Sequence, residues 1–118
     1  MIALGGAAGA LARYQVAAIV QSRVPAGFPW GTFIVNVTGC FVMGIVMTLL
    51  TERVAHPNWR YLVPIGFIGA YTTFSTFEFE TFRAASERAF AIAAANVVAS
   101  VVVGYLALWI GVVVARAR

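Results

Sequence analysis

Gly69-Ala70-Tyr71-Thr72-Thr73-Phe74-Ser75-Thr76-Phe77 sets four aliphatic hydroxyls between aromatic rings, inside a segment otherwise apolar enough for a membrane. Hydroxyls in hydrocarbon are tolerated where they bond within the protein or line a path for water or ions. The run is therefore either a structural seam or the wall of a pore. Gly66 and Gly69 lead into it and a Thr pair sits at its centre, a composition common where a membrane helix unwinds. A break is predicted near 69–75, within a third span of about 62–85.

The flanking sequence has the same membrane character. Of 118 residues 62% are hydrophobic and only 10% charged, with a mean hydropathy of +0.91, which excludes an ordinary soluble domain. A spanning helix needs about 20 apolar residues. Spans of about 2–20, 31–51, 62–85 and 90–114 nearly exhaust the chain, so a single four-helix transmembrane domain is expected. Pro25, Gly27 and Pro29 break the chain after the first span, and Glu52 and Arg53 close the second. The connection that follows, from Ala55 to Arg60, is polar; Trp59 and Tyr61 are placed as interfacial anchors and His56 as a surface histidine. Met1-Ile2-Ala3-Leu4 lacks the positive start of a secretory signal, so the first apolar stretch is expected to be retained.

All eight basic residues are Arg and all four acids are Glu, for a formal net charge of +4. The arginines are scattered singly, without a basic run or aromatic platform, which argues against nucleic acid and for membrane-end anchors with rare internal charges. Arg53, Arg60, Arg116 and Arg118 fall on one side of the membrane, against Arg23, Arg88 and a borderline Arg83 on the other. That bias is too weak to dictate one orientation, which permits insertion both ways and an antiparallel pair. Four short spans satisfy few polar groups alone, so a homo-oligomer is expected. The lone Cys40 excludes an intrachain disulfide and, with one His, an ordinary Cys and His zinc site.

Several polar residues need partners within the spans. Arg13 follows Gly5 and Gly9 at four-residue steps, well inside the first span, where a guanidinium must pair, snorkel or face water; it is either a structural clamp or the lining of a vestibule for an anion. Thr32, Asn36, Gly39, Cys40 and Met43 share a stripe of the second span, on which Asn36 either bonds a neighbouring helix or presents N–H to an anion. In the third, helical spacing brings Thr72, Ser75 and Thr76 together, with Phe74 and Phe77 on an adjacent stripe. Ring edges carry the positive part of the aromatic quadrupole and suit an anion, although rows of Phe are usually core. Glu78 and Glu80 lack any nucleophile or base beside them, and pairing with an Arg is the simpler reading. Asn96, Ser100 and Gly104 recur every four residues on the fourth span, as packing or as pore lining.

With these residues assembled, the chain resembles the small bacterial fluoride channels, the Fluc or CrcB family. The likeness lies in Gly5-Gly6-Ala7-Ala8-Gly9-Ala10-Leu11-Ala12-Arg13-Tyr14, in Gly31-Thr32-Phe33-Ile34-Val35-Asn36-Val37-Thr38-Gly39-Cys40-Phe41, and in the run from Gly66 to Phe77 with Glu80. The resemblance implies an all-α membrane protein, four transmembrane helices per subunit with a broken third helix, paired as an antiparallel dual-topology homodimer in the bacterial plasma (inner) membrane. It further implies two fluoride pores and a central structural sodium held by the backbone carbonyls of Gly69 and Thr72. Phe74 and Phe77 would face fluoride edge-on, Asn36 would donate to it, and Ser75, Thr76 and Ser100 would be further hydroxyl partners. Arg13 and Glu80 match family positions of vestibular or structural role. Ala70 stands where the family often has a second Gly, and Gly104 near where a pore hydroxyl is expected.

The implied activity is passive fluoride export, with no enzymatic step and with fluoride, lipid and a second copy of the chain as partners. Two other classes compete. A proton-coupled small multidrug exporter also has four short spans, but needs a carboxylate in the first, where this chain carries Arg13. A non-transporting membrane assembly subunit would use every polar residue above for packing.

Overall fold

The computed structural model describes residues 1–53 and 56–118; Ala55, at the start of the polar connection, lies outside them. The described residues are helical, with no strand. Helix α1 covers Ile2–Ser22, α2 Trp30–Glu52, α3 the single turn Asn58–Arg60, α4 the turn Gly69–Tyr71, α5 Phe74–Ser86 and α6 Phe90–Arg116. Between α3 and α4, Tyr61–Ile68 forms a π-helix. Three of these, α1, α2 and α6, are long and apolar enough to cross a membrane. At 27 residues α6 is about 40 Å long, which exceeds the hydrocarbon core.

The third segment is the irregular one, and its sequence explains why. Pro64 has no N–H and its ring crowds the preceding turn. The backbone widens instead, and Gly69 N–H reaches back to the carbonyls of Pro64 and Gly66. Helical geometry then stops at Tyr71: Thr72 (φ −80°, ψ 157°) and Thr73 (φ −147°, ψ 120°) are both extended. Thr73 caps α5, its Oγ1 accepting from Thr76 N at 3.3 Å. At the other end of α5, Ala89 N bonds Ala84 O at 2.8 Å and Arg88 adopts φ 61°. That left-handed residue turns the chain directly into α6, the geometry of a helix C-terminal reversal.

Packing relies on small residues. A methyl added at Gly9 would overlap the backbone carbonyl of Phe67, and one at Gly5 that of Leu62, so α1 lies backbone to backbone against the π-helix. Gly44 and Gly111 do the same between α2 and α6, against the carbonyls of Leu108 and Phe41. The buried apolar core of the described residues is correspondingly thin: Val35, Ile68, Phe77, Ala93 and Ala115. Large apolar side chains such as Leu4, Leu11, Phe82, Phe90 and Trp109 point outward. This is the inverse of a soluble domain, and suits a surface covered by lipid or protein.

Candidate ion-binding site

The site is built where α2 grips the extended pair. Asn36 Nδ2 donates to Thr73 O at 2.9 Å, and Thr73 N donates to Asn36 Oδ1 at 2.8 Å. One side-chain amide thus pairs with both backbone groups of Thr73. In a continuous helix the N–H of Thr73 would serve the carbonyl of Gly69, and that of Thr76 the carbonyl of Thr72. The first now goes to Asn36 and the second to Thr73 Oγ1, so both carbonyls are released from those helical donors. A pair of released carbonyls is the donor set a hard cation takes.

The hydroxyls do not gather as a continuous helix would gather them, because Thr72 and Thr73 are extended. Thr72 Oγ1 bonds back to Ile68 O at 3.0 Å, Thr73 Oγ1 donates to Thr76 Oγ1 at 3.1 Å, and Ser75 is exposed. The Phe74 and Phe77 rings are neighbours, with centroids 5.7 Å apart and planes at 46°. Their environments differ: Phe74 is 73% exposed and Phe77 only 6%. Both lie at the start of α5, where unpaired N–H groups and the helix dipole favour negative charge.

Asn36, Thr72, Thr73 and Phe74 line one cavity of about 240 Å³ with Gly39, Cys40 and Met43. Arg13 and Thr76 line a second, of about 350 Å³, with Thr32 and Thr73. Arg13 Nε donates to Ala70 O at 3.1 Å, so the guanidinium fastens α1 to the turn before the extended pair while bordering open space. Glu80 lies in a third cavity, of about 360 Å³, beside Arg83 and Asn96. Among the described residues its partner is not an arginine: Thr32 Oγ1 donates to Oε1 at 2.8 Å, and Oε2 is buried with no partner among them. Arg83 turns outward to Glu87 at 3.6 Å instead. Glu78 is exposed. Gly69, Ser75, Phe77 and Ser100 line none of these three cavities.

Ser100 belongs to a separate relay. Its Oγ donates to Asn96 Oδ1 at 3.3 Å, Asn96 Nδ2 donates to Thr81 Oγ1 at 2.9 Å, and Thr81 Oγ1 donates to Phe77 O at 2.8 Å. The relay ties α6 to the helix that carries the Phe pair. The partner roles of Thr73, Ala70, Thr32 and Thr81 emerge only in the folded chain. For Thr73 a signal existed, a Thr immediately before a helix start, which marks an N-cap; a bare carbonyl such as that of Ala70 leaves none.

The sequence profile described as CrcB-like protein, Camphor Resistance (CrcB), matches residues 1–112. The chain belongs to this family. Among CrcB relatives, a fluoride-specific ion channel FluC of Solibacter usitatus (strain Ellin6076) is 55% identical over 117 residues, covering 98% of this chain and 96% of its own. A protein of the same name from Acidobacterium capsulatum is 51% identical, over 96% of this chain and 91% of its own. Another, from Geobacter sp. (strain M21), is 46% identical over 98% and 94%. These CrcB relatives are named as ion channels, so the chain falls in a family of channels and not of enzymes. With its long apolar helices, this CrcB chain is a multi-pass bacterial membrane protein.

Proposed function

We propose that this chain is the subunit of a fluoride-selective channel that carries the ion passively out of the bacterial cytoplasm. The observation that carries the reading is the pairing of Phe74 and Phe77 at the N-terminus of α5, directly after the extended Thr72 and Thr73 held by Asn36. The name shared by full-length relatives at up to 55% identity supports the same ion.

Fluoride is small and tightly hydrated, so its path must replace water with several donors while avoiding a fixed charge that would trap it. Neutral donors meet both demands: the ring edges of Phe74 and Phe77, the hydroxyls of Ser75, Thr76 and Ser100, and the N–H of Asn36 not engaged by Thr73. Arg13 lends positive potential to an entrance and Glu80 sits outside the donor set. Fluoride crosses inward as neutral HF from an acidic medium and ionises inside, so an anion conduit driven by membrane potential suffices for export.

The assembly proposed is an antiparallel dual-topology homodimer with two pores, in which the interruption at Thr72 and Thr73 acts as the mid-membrane break of the third helix. The carbonyls of Gly69 and Thr72 from both subunits would hold a structural sodium at the dimer centre. When bound, that ion supplies positive potential to an anion path. The weak arginine asymmetry and the outward-facing Phe74 support such a pair. An exporter of the small multidrug class is disfavoured by α1, whose one charged side chain is Arg13.

Reconstitution into liposomes with a fluoride electrode tests the reading. Purified protein releases fluoride on addition of a potassium ionophore, and chloride flux stays far lower. No fluoride efflux, or equal chloride flux, sinks the channel. Phe74→Ile folds normally, given the exposure of the ring, and loses most of its flux; unchanged flux would remove the rings from the path and favour a non-transporting subunit.

A further inference from the structure

We propose that Asn36 is a positioning residue that makes the carbonyl of Gly69 available to a cation, acting through the backbone of Thr73. The inference rests on the sodium reading above. The N–H of Thr73 is the group that would otherwise occupy the Gly69 carbonyl. Its donation to Asn36 Oδ1 at 2.8 Å keeps it away. The return bond, from Asn36 Nδ2 to Thr73 O at 2.9 Å, ties the following peptide as well, so Thr73 is held on both sides. Both bonds match the extended dihedrals of Thr73, φ −147° and ψ 120°.

The amide is itself well anchored. Its helix, α2, rises past the fully buried Val35 one residue before it, and Gly39 one turn later meets the Thr72 methyl and the Tyr71 ring. Thr38 Oγ1 and Tyr71 Oη lie 2.9 Å apart, a further bond from α2, here to the last helical residue before the extended pair. The bare fact of a Gly before the extended residues does not account for the released carbonyl. Gly69 itself is helical, at φ −60° and ψ −34°, so what changes is the destination of the Thr73 N–H. Without Asn36 that N–H has no other acceptor among its described partners, and return to Gly69 competes with a cation for the same oxygen.

Sodium titration of thermal unfolding in detergent, with choline chloride as the ionic-strength control, reads this directly. The parent protein gains melting temperature with sodium over choline. Asn36→Leu needs at least about tenfold more sodium for half of that gain, the change corresponding to one net hydrogen bond of competition. Asn36→Asp keeps the acceptor for Thr73 N–H and loses the Nδ2 donor. It binds sodium at least as tightly as the parent, and its fluoride efflux falls.

A purely structural role for Asn36 predicts lower melting in both salts with unchanged sodium half-saturation, and that result overturns the inference alone. If Asn36→Leu yields no folded protein, Asn36→Asp decides: a folded Asp variant that ignores sodium overturns the inference, and one that responds supports it. A parent protein indifferent to sodium removes the cation reading and this inference with it, while leaving the fluoride efflux of the parent as the separate test of the channel.

Discussion

Thr32 Oγ1 donates to Oε1 of Glu80 at 2.8 Å, joining α2 to α5, while Oε2 of the same carboxylate is buried with no partner among the described residues. A half-satisfied carboxylate depends heavily on its one donor, since desolvating it further is unfavourable. Thr32→Val removes that donor at constant shape and destabilises the protein by about 1–3 kcal/mol. Glu80→Gln keeps the acceptor and removes the charge, so it is the milder change. Chemical or thermal unfolding in detergent ranks the two; a Glu80→Gln variant less stable than Thr32→Val would mean the carboxylate has a stronger partner than Thr32.

Gly6 and Gly9 stand three residues apart on α1 and differ in what a side chain would meet. A methyl at Gly9 overlaps the Phe67 carbonyl, whereas at Gly6 the nearest atom, Gly66 O, is 4.0 Å away. Gly9→Ala separates α1 from the π-helix and lowers stability by about 1–3 kcal/mol, the range of overpacking. Gly6→Ala stays within about 0.5 kcal/mol of the parent, its better helix propensity offsetting any contact. Comparable losses in the two variants would show that α1 packs more loosely against Phe67 than the backbone contact indicates.

Asn96 is 2% exposed and serves both Thr81 and Ser100. Asn96→Leu strands the Thr81 hydroxyl's partner position and the Ser100 donor, with a loss of about 1–3 kcal/mol. Ser100→Ala breaks only the longer bond of 3.3 Å and lowers stability by less than about 1 kcal/mol. Fluoride efflux of the Ser100→Ala variant separates its two roles: normal stability with reduced flux assigns the hydroxyl to the path, and normal flux assigns it to the relay.

Arg116 grips Glu52 at 2.7 and 2.8 Å where α6 and α2 end together. Both side chains remain largely in solvent, at 63% and 44% exposure. Glu52→Gln therefore changes stability by less than about 1 kcal/mol, and raising the salt concentration erases the difference. A larger, salt-insensitive loss would indicate that this end of the bundle is covered in the assembled protein.

How far the sequence reaches depends on whether a feature is local. The apolar spans, the punctuation at Pro25 and Pro29 and the irregularity after Gly69 are stated by neighbouring residues, and the helices α1, α2 and α6 follow them. The π-helical turn at Pro64 is not legible in the sequence, since a proline in an apolar span signals a kink without saying how the ladder is repaired. An unbroken helix would set Thr72, Ser75 and Thr76 on one face, and the extended geometry of Thr72 and Thr73 separates them.

Membrane residence, all-helical content and family are legible from the order of residues alone, because hydropathy, breakers and motif residues act within a few positions of one another. The partners of the polar side chains came from the packing of the helices. Asn36 could have bonded any neighbouring helix, and Glu80 could have taken any arginine; docking of α2 against the third segment placed Asn36 on the backbone of Thr73 and Glu80 beside Thr32. Those bonds span 37 and 48 residues of chain, and their choice follows from backbone approach distances that small residues permit and no local pattern encodes.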